Sequence, residues 1–330
     1  MGRRSARHTS SARRPAKVLS VGVVAVLVLG LTGCGGGASI HRDFVGSTVS
    51  PDTSPVAAAK AAVVLQELDA ERLYVMAGDD MFKAGLGVVS ATGLEPATTT
   101  PPVTSLSNVS GNGRTVVIGA AGAVDGFFLD GAYQLVGDQL RTLATPAERK
   151  YAPTVASDDT MAAVAPDGGF FIRKPGSTAW VRDRRLTHAD LNSLSWGAHD
   201  SAFAVEDFGQ RNARLVEIPR EGRPRDVHAL PCIHSVVPSP TRPWTATNLP
   251  LDRPAGCPKR RSHLIDLTGH HPDRLLPAGW DPLTWSRDSS AVLLARGHEI
   301  AVWQVASGEL TDRVDLGVRI WMAAPLWSEG

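Results

Sequence analysis

The residues in this 330-residue chain with the most specific chemistry are its three cysteines, Cys34, Cys232 and Cys257, together with a few histidines and paired carboxylates. Cys232 and Cys257 stand 25 positions apart and bracket a proline-rich stretch from Pro238 to Pro254. In an oxidising compartment such a pair reads as a disulfide, and closing a loop of that size stabilises a fold by ~3 kcal/mol in the chain-entropy treatment. A metal site is the rival reading, because Cys232-Ile233-His234 lies near His263, His270 and His271 in sequence. The ligand spacings of zinc sites are missing, however, so the expectation is a Cys232–Cys257 disulfide, no metal and no cofactor. His199-Asp200-Ser201 carries the letters of a hydrolase triad, but neighbours in sequence cannot converge as nucleophile, base and orienter. No Gly-x-Ser-x-Gly elbow occurs. Asp79-Asp80, Asp158-Asp159, Glu206-Asp207 and Asp125 could supply the two carboxylates of a glycoside hydrolase, yet Asp158-Asp159 falls where a strand-to-strand turn is expected. The basic runs Arg182 to Arg185 and Lys259 to Arg261 read as solvated loops. No catalytic set emerges, and a non-enzymatic chain is the expectation.

The elements that must hold these residues are strands. From about position 72 onward, short runs of β-prone residues alternate with Gly, Asp, Asn and Pro turns, the pattern of an all-β domain. The runs repeat. Leu283-Thr284-Trp285-Ser286-Arg287-Asp288-Ser289-Ser290-Ala291-Val292-Leu293-Leu294 parallels Leu194-Ser195-Trp196-Gly197-Ala198-His199-Asp200-Ser201-Ala202-Phe203-Ala204-Val205. Each is a strand ending in Trp, a polar turn containing Asp, and a second apolar strand. The turn Arg287-Asp288-Ser289 aligns with His199-Asp200-Ser201 and has no His, which makes that Asp a turn former. Weaker copies start at Leu106 and Thr154, and a degenerate one near Ser235. With Leu106, Thr154, Leu194, Val236, Thr284 and Leu326 as anchors, the intervals are 48, 40, 42, 48 and 42 residues. Trp196, Trp285 and Trp327 occupy matching positions and are expected in the core between repeats rather than on a sugar-stacking surface.

A period of ~40–50 residues with four strands per unit marks a β-propeller blade. The unit running through Gly297-His298-Glu299-Ile300-Ala301-Val302-Trp303-Gln304 resembles a WD-type or TolB-type blade. That resemblance covers roughly residues 72 to 330, although the Trp-Asp and Gly-His pairs of strict WD repeats are absent as a set. The Ser-x-Asp-x-Gly-x-Thr-Trp box of sialidase-type propellers is not matched by Ser286-Arg287-Asp288-Ser289-Ser290. The chain stops at Leu326-Trp327-Ser328-Glu329-Gly330, an innermost strand with no second strand behind it. The repeats open at Arg72-Leu73-Tyr74-Val75-Met76-Ala77, a second strand with no first. Joining the two completes a blade, as a circular array requires if its terminal edges are not to stay exposed. The expectation is a six-bladed propeller closed by pairing of the C-terminal and N-terminal strands. Seven blades of about 37 residues would each be shorter than the observed period, which makes seven the second choice.

Ahead of the repeats, six of the 34 basic residues (Arg3, Arg4, Arg7, Arg13, Arg14 and Lys17) precede position 34 without a single acid. They leave 28 basic against 33 acidic residues in the remainder, a net charge near −5 that disfavours nucleic acid as a partner. Val18 to Leu31 is a 14-residue apolar run, too short to span a bilayer and of signal-peptide proportions. It leads into Leu31-Thr32-Gly33-Cys34, which resembles the lipobox of bacterial lipoproteins. The resemblance implies cleavage between Gly33 and Cys34 and acylation of the Cys34 thiol, with palmitate-type chains anchoring the protein at the outer face of the cell membrane. Arg13-Arg14 only faintly resembles a twin-arginine export signal, because Pro15-Ala16 follow it. The expected organisation is a signal peptide over 1–33, a lipidated flexible tether over 34–55, a short helix over 56–70 and the propeller over 71–330. The expected function is an envelope binding or assembly module whose partner is another envelope protein. The alternatives are an envelope hydrolase or lyase, or a carbohydrate-binding sensor with a glycan as ligand at the channel face.

Overall fold

Ala291-Val292-Leu293-Leu294-Ala295 and Ala202-Phe203-Ala204-Val205 are apolar at every position rather than at alternate ones, and all nine side chains are buried. A strand of this kind must be covered on both faces, so its sheet has to stand between two others. The computed structural model describes residues 54–98, 105–121, 129–137, 139–144, 151–165, 167–185, 194–206, 213–229, 232–248, 262–311 and 313–328. Cys34 with Gly33, the signal peptide, nearly all of the tether, Asp125, Asp207, Cys257 and Lys259 to Arg261 lie outside the described residues.

Among the described residues, 24 strands form six four-stranded antiparallel sheets. The first blade contains β1 (Ala70–Ala77), β2 (Gly85–Ser90) and β3 (Gly93–Pro96). The second has β4 (Ser105–Gly111), β5 (Val116–Ala121), β6 (Leu129–Val136) and β7 (Gln139–Ala144). The third has β8 (Tyr151–Val155), β9 (Met161–Val164), β10 (Phe170–Arg173) and β11 (Val181–Asp183). The fourth has β12 (Ser195–Trp196), β13 (Ala202–Glu206), β14 (Arg214–Ile218) and β15 (Arg225–Ala229). The fifth has β16 (Ser235–Pro238), β17 (Trp244–Asn248), β18 (His263–Asp266) and β19 (Arg274–Leu275). The sixth has β20 (Asp281–Trp285), β21 (Ala291–Arg296), β22 (Glu299–Gln304) and β23 (Val314–Asp315). The last strand, β24 (Ile320–Trp327), returns to the first blade and pairs with β1.

This last pairing closes the ring. Leu73 stands opposite Pro325, Tyr74 opposite Ala324, Val75 opposite Ala323 and Met76 opposite Met322. Pro325 is tolerated because β24 is the edge strand of its sheet, with only an isolated bridge from Leu326 to Gly113 on its other side, so its missing N–H breaks no second ladder. The inner strands touch in sequence around the ring, β24 to β4, β8, β12, β16, β20 and back to β24. The protein is therefore a six-bladed propeller sealed by its two ends, as the repeat arithmetic required. Apolar clusters fill the seams between adjacent blades. Phe170, Leu194, Ala204 and Ile218 pack between blades three and four, and Trp285, Leu294 and Trp303 between five and six.

Helix α1 (Pro55–Glu67) precedes the ring. Ser54 caps it by accepting from the Ala57 N–H at 3.2 Å, and Pro55 opens the first turn, where no N–H is required. Ala57, Ala61, Val64 and Leu65 form its buried face. Ala61, Val64, Leu65 and Leu68 join the cluster that includes Leu73 and Val75 of β1, Leu293 of β21 and Val314 of β23. The helix thus wedges into the seam between the sixth and first blades, where the ring closes.

Candidate functional site

In an up-and-down sheet successive connections alternate between the two ends of the strands. All turns from first to second strand therefore gather at one end of the ring, together with the junction of β24 and β1. The sequence repeat placed Asp in these turns, and in the third and sixth blades its side chain does the same work. Asp158 Oδ1 accepts from the Thr160 N–H at 2.9 Å, and Asp288 Oδ1 from the Ser290 N–H at 3.0 Å. Asn112 Oδ1 replaces them in the second blade, accepting from the N–H groups of Arg114 and Thr115. The residue after each folds left-handed, with φ of 66° at Asp159, 61° at Ser289 and 87° at Gly113. Glycine is needed at 113, because a Cβ there would lie 1.8 Å from the Trp327 ring.

These turns bind one another around the full circle. The Trp327 N–H donates to Gly113 O at 2.8 Å, tying the closing strand to the second blade. Asn112 Nδ2 donates to Ala156 O at 2.6 Å, and Thr115 Oγ1 to Asp159 Oδ1 at 3.0 Å. Ser157 Oγ donates to Asp200 Oδ1 at 2.8 Å, and Arg220 bridges Asp158 at 2.6 Å and Asp200 at 3.3 Å. The Ala198 N–H reaches Ser239 O at 2.8 Å, and Ser239 Oγ reaches Ser289 Oγ at 2.8 Å. Arg287 returns to the start: its N–H bonds Leu68 O at 3.3 Å and its guanidinium bonds Ser328 O at 3.1 Å. Arg220 was not singled out by the sequence, because nothing local marks an arginine after β14 as a bridge from its own blade to the preceding one.

The Arg220 guanidinium, hydrogen-bonded to Asp158, holds that carboxyl well below its ordinary value of 3.8. A carboxylate whose folded pKa is depressed adds stability that is present above the ordinary value and lost as pH falls through the folded one. Asp158 is 42% exposed, so screening keeps the contribution to about 1 kcal/mol or less. Asp158→Asn should therefore lower the melting temperature at pH 7 by a few degrees. The gap to wild type should narrow as pH falls below 3.8, which thermal melts across pH 2 to 7 would read.

The other residues singled out in the sequence sit as follows. His199, Asp200 and Ser201 do not converge. Ser201 Oγ donates to Glu217 Oε1 at 2.7 Å, Asp200 serves the turn network, and His199 is exposed. Asp79 faces His298 at 3.6 Å across the closing seam, and Glu206 pairs with Arg214. Arg182 pairs with Asp167 at 3.0 Å, and Arg185 with Asp183 at 2.6 Å. Cys232 is fully buried and disulfide-bonded, while the cysteine expected to pair with it, Cys257, lies outside the described residues. Trp285 is 2% exposed and donates to Val237 O of the preceding blade at 2.7 Å. Trp196 and Trp327 repeat its position, half-buried against the neighbouring apolar clusters. Among the described residues no three His, Cys, Asp or Glu side chains gather as a metal site, and no helix is long and apolar enough to cross a membrane.

Two clefts open on the outer parts of the blades. One of about 450 Å³ is lined by Arg185, Glu206, Arg214, Arg223 and Asp226. Arg214 spans it, paired with Glu206 and, at 2.9 Å, with Asp226. The other, about 520 Å³, lies between the first and second blades, with Tyr74, Val88 and Leu135 among its apolar lining and Glu71, Arg72 and Glu95 among its charged residues.

At the opposite end of the ring the Leu106 N–H donates to Ala84 O at 3.3 Å and Ser262 Oγ to Trp280 O at 2.8 Å, and further contacts gather where β24 begins. The Gly78 N–H donates to Arg319 O at 3.0 Å, and Trp321 Nε1 donates to Gly78 O at 2.7 Å. The Arg319 guanidinium lies over the Trp321 ring, 3.9 Å from its centroid. The connections attached at this end include the long ones between β17 and β18 (249–262) and between β11 and β12 (184–194).

No protein-family model and no curated protein matches the sequence. Among solved structures the chain is similar to a chain of a nidogen/laminin complex, with a TM-score of 0.55 and 9% identity, over 77% of this chain and 97% of that one. Lower scores are found with a gluconolactonase of Xanthomonas campestris (0.47, 10% identity, 66% of this chain and 76% of that one). A chain of a mitotic checkpoint complex gives 0.45 and 13% identity, over 89% and 76%. The first likeness supports the propeller fold alone, and the other two carry no weight for function.

Proposed function

We propose that this chain is an exported lipoprotein, held at the outer face of the cell membrane by acyl chains on Cys34, whose propeller is a non-enzymatic module for binding another envelope protein. One observation carries the binding reading. Turn-to-turn hydrogen bonds occupy one end of the ring in every blade, whereas the opposite end carries the long, unequal connections. A rigid scaffold that fixes one end and varies the loops of the other is the arrangement binding surfaces use. The lipid reading rests on Leu31-Thr32-Gly33-Cys34 behind a 14-residue apolar run.

Pull-down from envelope extracts tests the binding reading, with the full mature protein and a variant whose residues 186–193 are replaced by Gly and Ser. The expected result is one partner enriched by the wild type and reduced with the variant. Equal recovery of every protein by both, or turnover of an envelope glycan by the purified protein, counts against it. For the anchor, Cys34→Ser should move the protein from the membrane to the soluble fraction and remove the acyl mass from its N-terminal peptide. A wild-type N-terminal peptide without acyl mass contradicts the lipoprotein assignment.

A further inference from the structure

Five arginines among the described residues are half-buried: Arg72, Arg173, Arg185, Arg296 and Arg319. Four of them have an acceptor. Arg72 bonds Glu71, Arg173 bonds Ser177 O, Arg185 bonds Asp183, and Arg296 bonds Glu299. Among the described residues the guanidinium of Arg319 has none, neither carboxylate nor carbonyl, and it lies over the indole of Trp321. None of the Arg319 nitrogens is fully buried, so its five N–H donors stay open to solvent and to an incoming acceptor. Burial lowers the pKa of Arg319.

The backbone places this group with care. Arg319 is the last residue before β24, the innermost strand of the closing blade. Gly78 clamps the position from both sides, donating to Arg319 O and accepting from Trp321 Nε1. With the indole fixed by that bond, the guanidinium stacked on it is fixed as well, and stacking leaves its in-plane N–H donors free. The position is at the start of the innermost strand, at the end of the ring opposite the turn-to-turn network.

We propose that Arg319, supported by Trp321, is the anchor for a carboxylate on an acidic segment of the partner protein. A planar guanidinium matches a carboxylate through two parallel N–H···O bonds, and a carboxylate supplies the charge and acceptors this site lacks. The inference rests on the binding-module reading and specifies the chemistry of its partner.

The test uses the full mature protein with capped hexaglutamate as probe and hexalysine as control, by calorimetry at low salt. Wild type should bind hexaglutamate. Arg319→Gln should weaken that binding at least tenfold, and Arg319→Lys, which keeps the charge but loses the paired donors, by an intermediate factor. Melting temperatures of both variants within a few degrees of wild type show that the fold is intact. Binding of hexaglutamate by Arg319→Gln within twofold of wild type, equal binding of hexalysine, or no binding by wild type overturns the anchor. Pull-down separates the two readings: a partner captured equally by wild type and Arg319→Gln retains the module and discards the anchor.

Discussion

Removing residues 320–330 should abolish the folded propeller. The truncation deletes β24, so β1 loses its partner from Ala70 to Ala77 and becomes an open edge. Ala323 and Ala324 leave the core, the seam filled by Leu73 and Val75 is uncovered, and Arg287 loses Ser328 O. The Trp327 link to Gly113 goes as well, opening the ring of turns. A domain is stable by only about 5–15 kcal/mol in total, and loss of a whole strand with its two seams exceeds that margin. The truncated chain should show no cooperative melt and should bind hydrophobic dye. Adding the peptide Ile320–Trp327 in trans should restore part of the transition, because the strand pairs through backbone bonds any copy can make. A truncated chain that melts at the wild-type temperature would refute closure by the termini.

Trp285→Ala should be among the most damaging single substitutions. Its indole is 2% exposed in the seam between blades five and six, and its N–H satisfies Val237 O. Replacing a buried aromatic by Ala costs ~3–5 kcal/mol through lost burial and the cavity left behind, and a stranded carbonyl adds to it. At ~2–4 °C per kcal/mol for a domain of this size, the melting temperature should fall by about 10 °C or more. Trp285→Phe keeps most of the packing but not the N–H, and should lose about 1 kcal/mol. Trp196→Ala should cost less, because Trp196 is only half-buried and its Nε1 has no acceptor among the described residues. A fall of under 2 °C for Trp285→Ala, measured by calorimetry, would contradict its role as the wedge between blades.

The ring was legible because its signals are local and repeat. A Trp at the end of one strand, an Asp in the turn and an apolar run behind it recur at intervals that only four-stranded units fit. Closure was legible for the same reason, since Leu326-Trp327 supplies the half of that pattern missing ahead of Arg72. The turn-to-turn network was not legible. Asp158 and Asp288 announce turns, but which turn meets which depends on blade spacing, and Arg220 reaches Asp158 across 62 positions. The helix was expected as a separate piece. Its packing against Leu293 and Val314 could not be read from Ala61 or Val64, because helix and seam are distant in sequence. Arg319 carries no signal in the sequence. A lone arginine before Ile320-Trp321 matches no motif, and its meaning comes from its stacking on Trp321 and from the acceptors it lacks among the described residues, which only the fold brings out.

Native-state hydrogen exchange on the segments 70–77 and 320–327 tests the account most directly. If the two ends share one sheet, the amides of both should be protected together and open only with global unfolding, sharing one opening free energy and one denaturant dependence. Exchange of 320–327 at the rate of an unstructured peptide while 70–77 stays protected, or separate openings for the two, would contradict a ring closed by its own ends.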